Sequence, residues 1–126
     1  MRLYGIRLFV DDLDAARRFY GATLGLPLAW DAPDEGAVGF AAGDGHLIVE
    51  RADPDGPDGA LVGRFVGASL EVPDAVALYQ ALAARGVVFD MAPAVQPWGG
   101  VMAHFRDPAG NVLTLISPPP GATAGG

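Results

Sequence analysis

Residues His104–Ile116 read HFRDPAGNVLTLI. Two apolar runs flank DPAGN, in which Pro108 and Gly110 are turn residues, so a β-hairpin is expected. If DPAGN is a five-residue loop, His104 stands directly across from Thr114 on the same face. The Cα atoms of such a pair lie about 4.5–5.5 Å apart.

Working outward, VVFDM, GGVMAHFR and NVLTLIS read as three strands. They follow a strand FVGASLEV and a helix PDAVALYQALAARG. The helix is expected to bury Val76, Tyr79, Leu82 and Ala83 and to end at Gly86. This half is β-α-β-β-β. The first half repeats the order. RLYGIRLFV is a strand. DDLDAARRFYGATLG is a helix capped by Asp11 or Asp12, with Leu13, Ala16, Tyr20 and Leu24 on one face and Gly25 closing it. PLAWD, GAVGFAAG and HLIVERA are strands separated by APDE and DG turns. Such a repeat says more than any single motif. Module one is expected over residues 3–52, a Gly/Asp/Pro connector over 53–64, module two over 65–117, and a flexible tail over 118–126, all within one domain spanning 1–126.

Composition narrows the function. The 126 residues are 51% hydrophobic and 18% charged, which fits a folded domain with a proper core. There is no cysteine, so disulfides, thiolate metal sites and a cysteine nucleophile are excluded. All eight basic residues are arginine, against fifteen acids, for a net charge of −7. That balance disfavours nucleic acid and anionic lipid as partners, and the lack of lysine removes Schiff-base and P-loop mechanisms. No apolar run approaches a membrane span, and neither a signal peptide nor a membrane segment is expected. A cysteine-free chain fits the cytoplasm.

A β-α-β-β-β unit covers one sheet face with its helix and leaves the other free. Two units can line a shared cavity with their free faces. Period-2 alternation assigns the faces. Ile6, Leu8 and Val10 go under the helix, and Gly5, Arg7 and Phe9 face the cavity. Leu47 and Val49 pack inward, leaving His46, Ile48 and Glu50 outside. Ala68, Leu70 and Val72 are core, against Gly67, Ser69 and Glu71. Leu113 and Leu115 are core, against Val112, Thr114 and Ile116.

The doubled order, together with VDDLDAARRFYGATLGLPL and FRDPAGNVLTL, resembles the vicinal oxygen chelate superfamily, which includes glyoxalase I, extradiol dioxygenases, and fosfomycin- and bleomycin-resistance proteins. The resemblance covers residues 3–117. It implies an α+β fold of two β-α-β-β-β modules whose curved mixed sheets enclose a cavity. Metal-using members carry His, Glu or Gln at four cavity-facing positions, which fall here on Gly5, Glu50, Gly67 and Thr114. Only Glu50 can bind a metal as those members do. A bound divalent ion needs about three protein ligands. His46 lies roughly 13 Å along its strand from Glu50, too far to share an ion. His104 points at the position of Thr114, but Glu50 and His104 are only two ligands. No metal and no other cofactor is therefore expected.

The expected function is metal-independent binding of a partly aromatic or amphipathic small molecule in a pocket between modules, resembling the bleomycin-resistance branch. Arg7, Phe9, Trp30, Glu50, Ser69, Trp98, Met102, His104 and Thr114 are the candidate ligand contacts. Arg7 is a candidate ion-pair partner of Glu50, and Trp98, in the QPWGG loop, a candidate lid. Two alternatives stay open. One is a metal-dependent lyase, isomerase or dioxygenase with a relocated site. The other is a metal-free acid–base isomerase with Glu50 and His104 as catalytic candidates. The resemblance also implies a homodimer.

Overall fold

Two aspartates start the helices. Asp12 and Asp74 adopt extended backbone, and their side chains accept from Ala15 N and Ala77 N, satisfying amides that the first helical turn leaves unpaired. The computed structural model describes residues 1–119, so from residue 120 onward the tail expected over 118–126 lies outside the described residues. In chain order the elements are β1 (Gly5–Val10), α1 (Leu13–Arg18), β2 (Leu28–Ala32), β3 (Ala37–Ala42), β4 (Gly45–Arg51), β5 (Phe65–Glu71), α2 (Ala75–Ala84), β6 (Phe89–Val95), β7 (Val101–Arg106) and β8 (Val112–Ser117). The doubled β-α-β-β-β order is thus present.

Three local readings need correction. The first helix is not α-helical to its end. Phe19–Thr23 form a π-turn, with Leu24 N donating to Phe19 O at 2.8 Å, and Phe19 and its neighbour Tyr20 are both buried. In α2 the buried stripe runs through Ala75, Leu78, Tyr79 and Leu82, whereas Val76 and Ala83 are exposed. The Asp74 cap makes Ala75 the first helical residue, and the i, i+3, i+4, i+7 spacing from there leaves Val76 one step off the face. Strand β6 runs on to Val95 and includes Pro93. A proline lacks the ladder amide, and β6 tolerates it as an edge strand.

The chain divides into two compact units. Met1–Val66 and the turn Asp107–Asn111 form one, and Gly67–Arg106 with the described residues from Val112 form the other. The first unit holds a sheet of order β1-β4-β3-β2. β1 is parallel to β4, and the other pairs are antiparallel. α1 packs on β4, and Leu8, Val10, Tyr20, Phe40, Leu47 and Val49 form the core beneath it. The second unit holds a sheet of order β5-β8-β7-β6, with α2 against β6, β7 and β8. Its core is Ala68, Leu82, Ala103, Phe105, Leu113 and Leu115. Neither sheet closes on itself. Among the described residues no helix is long and apolar enough to cross a membrane.

The DPAGN turn forms as expected, with five residues between β7 and β8. Gly110 takes φ +90°, and Asp107 Oδ1 accepts from Ala109 N and Asn111 N, both at 2.9 Å. The resulting register sets His104 opposite Thr114.

Candidate functional site

Side chains of directly paired residues share a sheet face, so the registers lay out the face of the first sheet that α1 does not cover. One row across it is Gly5, His46 and Ala41. The next is Arg7, Ile48, Gly39 and Trp30, and the third is Phe9, Glu50, Ala37 and Ala32. β3 contributes only the small residues Ala41, Gly39 and Ala37 to this face, beside the larger His46, Ile48 and Glu50 of β4. The Trp30 indole lies against Gly39, where any Cβ would collide with it. Gly39 is therefore a floor for an aromatic ring.

Arg7 and Glu50 pair as expected. Arg7 Nε donates to Glu50 Oε2 at 2.7 Å, and Nη2 donates to Oε1 at 3.2 Å. This forked geometry fixes both planar groups. The hydrogen bond and charge of Glu50 hold the Arg7 guanidinium above its ordinary pKa. The Arg7 guanidinium carbon also sits 5.3 Å from the centre of the half-buried Phe9 ring, within cation–π range. The Arg7 side chain is 62% exposed, so the pair is presented to solvent rather than sealed in a core.

The second unit carries the remaining candidates. His104 Nδ1 and Thr114 Oγ1 are hydrogen-bonded at 2.8 Å, and Thr114 is fully buried because β8 is covered on both faces. Met102 is half-buried on the same strand face as His104, and Ser69 is exposed on β5. Beside His104, Arg106 Nε donates to Asp90 Oδ1 at 2.6 Å and keeps that carboxyl below its ordinary pKa, with a lesser push from His104. Trp98 is half-exposed in the turn between β6 and β7, its ring lying against Gly100. Arg7, Phe9, Trp30 and Glu50 are thus brought together on one sheet, and Met102, His104 and Thr114 on the other.

The four positions implied for metal binding do not make a ligand set. Gly5 and Gly67 offer no side-chain donor, and neither site accommodates one easily. A Cβ on Gly5 would stand 2.5 Å from the His46 carbonyl oxygen, and Gly67 has φ +79°, a region side chains rarely adopt. Glu50 is engaged by Arg7, and Thr114 by His104. Among the described residues no three His, Asp or Glu side chains cluster as a metal site would require.

Tyr4 escaped the sequence reading because alternation along RLYGIRLFV puts it on the helix side with Ile6 and Leu8, whereas in the structure it precedes β1 and leaves that pattern. Its ring stacks on His46 with centroids 4.5 Å apart and planes 16° from parallel, and its hydroxyl accepts from Trp30 Nε1 at 3.3 Å. The signal that points to this cluster is the parallel pairing of β1 with β4, which puts the entry to β1 beside His46.

The chain is similar to proteins of the same length. The uncharacterized protein YraH of Bacillus subtilis (strain 168) is 27% identical over 125 residues, covering 91% of this chain and 97% of its own. A solved member of the glyoxalase/bleomycin resistance protein/dioxygenase superfamily from Sphaerobacter thermophilus is 30% identical with a TM-score of 0.79, covering 94% of this chain and 98% of its own. TnmS3, an antibiotic binding protein from Streptomyces sp. CB03234, is 32% identical with a TM-score of 0.77, covering 94% and 96%. Residues 2–115 match one family throughout, and with the doubled module and the DPAGN hairpin in place, the chain belongs to the Glyoxalase/Bleomycin resistance protein/Dioxygenase superfamily.

Proposed function

We propose that this protein holds a partly aromatic or amphipathic small molecule against the uncovered face of its first sheet, without a metal. The observation that carries the reading is the Arg7–Glu50 fork beside Phe9. A guanidinium held at fixed orientation, with Nη1 left over from its bonds to Glu50, suits an anionic or strongly polar group on a ligand. Phe9, Ile48 and Trp30 on the same face supply apolar and aromatic surface for the rest of it. The likeness to an antibiotic binding protein supports sequestration as sufficient function. The same reading includes a homodimer in the cytoplasm, with exposed Leu28, Phe65 and Val95 as apolar surface available for association.

The test is calorimetric titration with bleomycin and with a set of planar aromatic carboxylates, with and without EDTA. Binding that survives EDTA and weakens in Arg7→Ala supports the proposal. Binding abolished by EDTA overturns metal independence, and catalytic turnover lost in Glu50→Gln would replace sequestration with acid–base chemistry. Sedimentation at a strictly monomeric mass would contradict the dimer.

A further inference from the structure

We propose that His46 is a fixed hydrogen-bond acceptor that selects fused aromatic ligands bearing a hydroxyl or amino donor. This deepens the binding reading above and rests on it.

The argument begins with the tautomer. His46 Nδ1 lies 3.1 Å from the Tyr4 carbonyl oxygen, which can only accept. Nδ1 must therefore carry the proton, and in the neutral ring Nε2 is the acceptor. The same carbonyl also accepts from the His46 backbone amide at 3.0 Å, which ties the strand and the ring to one point. The Tyr4 ring, stacked on the imidazole, holds its plane. Tyr4 is itself braced by the hydrogen bond from Trp30. Two aromatic side chains, Tyr4 directly and Trp30 through it, thus constrain one imidazole.

Nε2 has no hydrogen-bond partner among the described residues. The neighbours across the sheet from His46 are Gly5 and Ala41, too small to cover the ring edge. Gly5 cannot grow, because its Cβ would strike the His46 carbonyl oxygen. The acceptor is therefore oriented, open to solvent, and set beside aromatic surface. Those features match a flat ligand that stacks and donates. An aromatic lacking a donor would leave the desolvated Nε2 unpaired, a penalty that discriminates against it.

The test compares 2-naphthol with 2-methoxynaphthalene, which share the ring system and differ in the O–H donor. Calorimetry should show the naphthol binding about fivefold tighter, the scale of one neutral hydrogen bond. His46→Phe keeps an aromatic ring for Tyr4 to stack on, and should abolish the preference while both compounds still bind. Tyr4→Phe removes the cluster's other side-chain acceptor, the hydroxyl that accepts from Trp30, and should preserve the preference. Circular dichroism checks that both variants fold. Equal affinities in the wild type, or a preference that persists in His46→Phe, would overturn the role of His46 and leave the binding reading standing. Failure of both compounds to bind would overturn both proposals for this ligand class.

Discussion

Tyr20 and Asp107, 87 positions apart in the sequence, are joined inside the protein by a hydrogen bond of 2.7 Å from the phenol to Oδ2. The bond links the π-turn that ends the first helix to the DPAGN turn, both in the first unit. Asp107 is buried and also accepts from the side chain of Asn111 at 3.0 Å. The phenol is one of several donors that satisfy this buried carboxylate. Tyr20→Phe should lower unfolding free energy by about 2 kcal/mol, the range for a hydrogen bond to a charged group, measured by urea denaturation.

The same pair sets an alkaline limit. Burial first, then the charge of Asp107, raises the Tyr20 pKa far above its ordinary value. A tyrosine whose folded pKa is raised contributes stability that is complete below its unfolded pKa of about 10 and falls as pH rises beyond it. Stability should therefore decline above about pH 10, and the decline should be shallower in Tyr20→Phe. Equal alkaline slopes for the two proteins would remove Tyr20 as the cause.

The Asn111 side chain ties the turn to the rest of the first unit. Its Oδ1 accepts from Gly63 N and Arg64 N at 3.0 and 3.2 Å, and its Nδ2 donates to the Phe9 carbonyl at 2.8 Å. It is fully buried. Asn111→Ala leaves these backbone groups unpaired and should cost about 3 kcal/mol or more, enough to reduce soluble expression.

Gly5 and Gly67 should resist restoration of a metal site. Gly67→Ala places a side chain at φ +79° and is expected to destabilise by about 1–3 kcal/mol. Gly5→His must displace the His46 carbonyl, so its first effect should be a lowered melting temperature rather than metal uptake. In elemental mass spectrometry, untagged wild type incubated with Zn²⁺, Mn²⁺, Ni²⁺ or Fe²⁺ should stay well below one ion per chain. Near-stoichiometric metal lost in both Glu50→Ala and His104→Ala would reverse that expectation.

Arg7 should matter to binding more than to folding. Its pair with Glu50 is solvent-exposed on the arginine side, and exposed pairs contribute about 0–1 kcal/mol. Arg7→Ala should therefore leave the urea midpoint almost unchanged while weakening carboxylated aromatic ligands by about tenfold. A large stability loss without an affinity loss would make the pair structural.

The module repeat, the five-residue DPAGN loop, the His104–Thr114 register and the alternating faces of β1, β4 and β5 were legible in the sequence. Each follows from local rules: period-2 burial, turn chemistry, and Asp caps ahead of apolar periodicity. Arg7 and Glu50 could be paired in advance because they lie on one face of strands that the module order brings together. The buried stripe of α2 and the π-turn were not legible. An alanine-rich helix offers several plausible faces, and the side chains packed against it choose among them.

Sequence alone therefore determined the element order and which side chains each strand can present, because those depend on neighbours a few residues away. Only the tertiary structure decided that Tyr4 stacks on His46 and leans on Trp30, and that Asp107 and Asn111 answer to Tyr20, Phe9 and Gly63. It also decided that Gly5 has no space for a side chain. Those relationships join residues distant in the chain, and they depend on strand register and the close approach of backbone atoms, which no local pattern encodes.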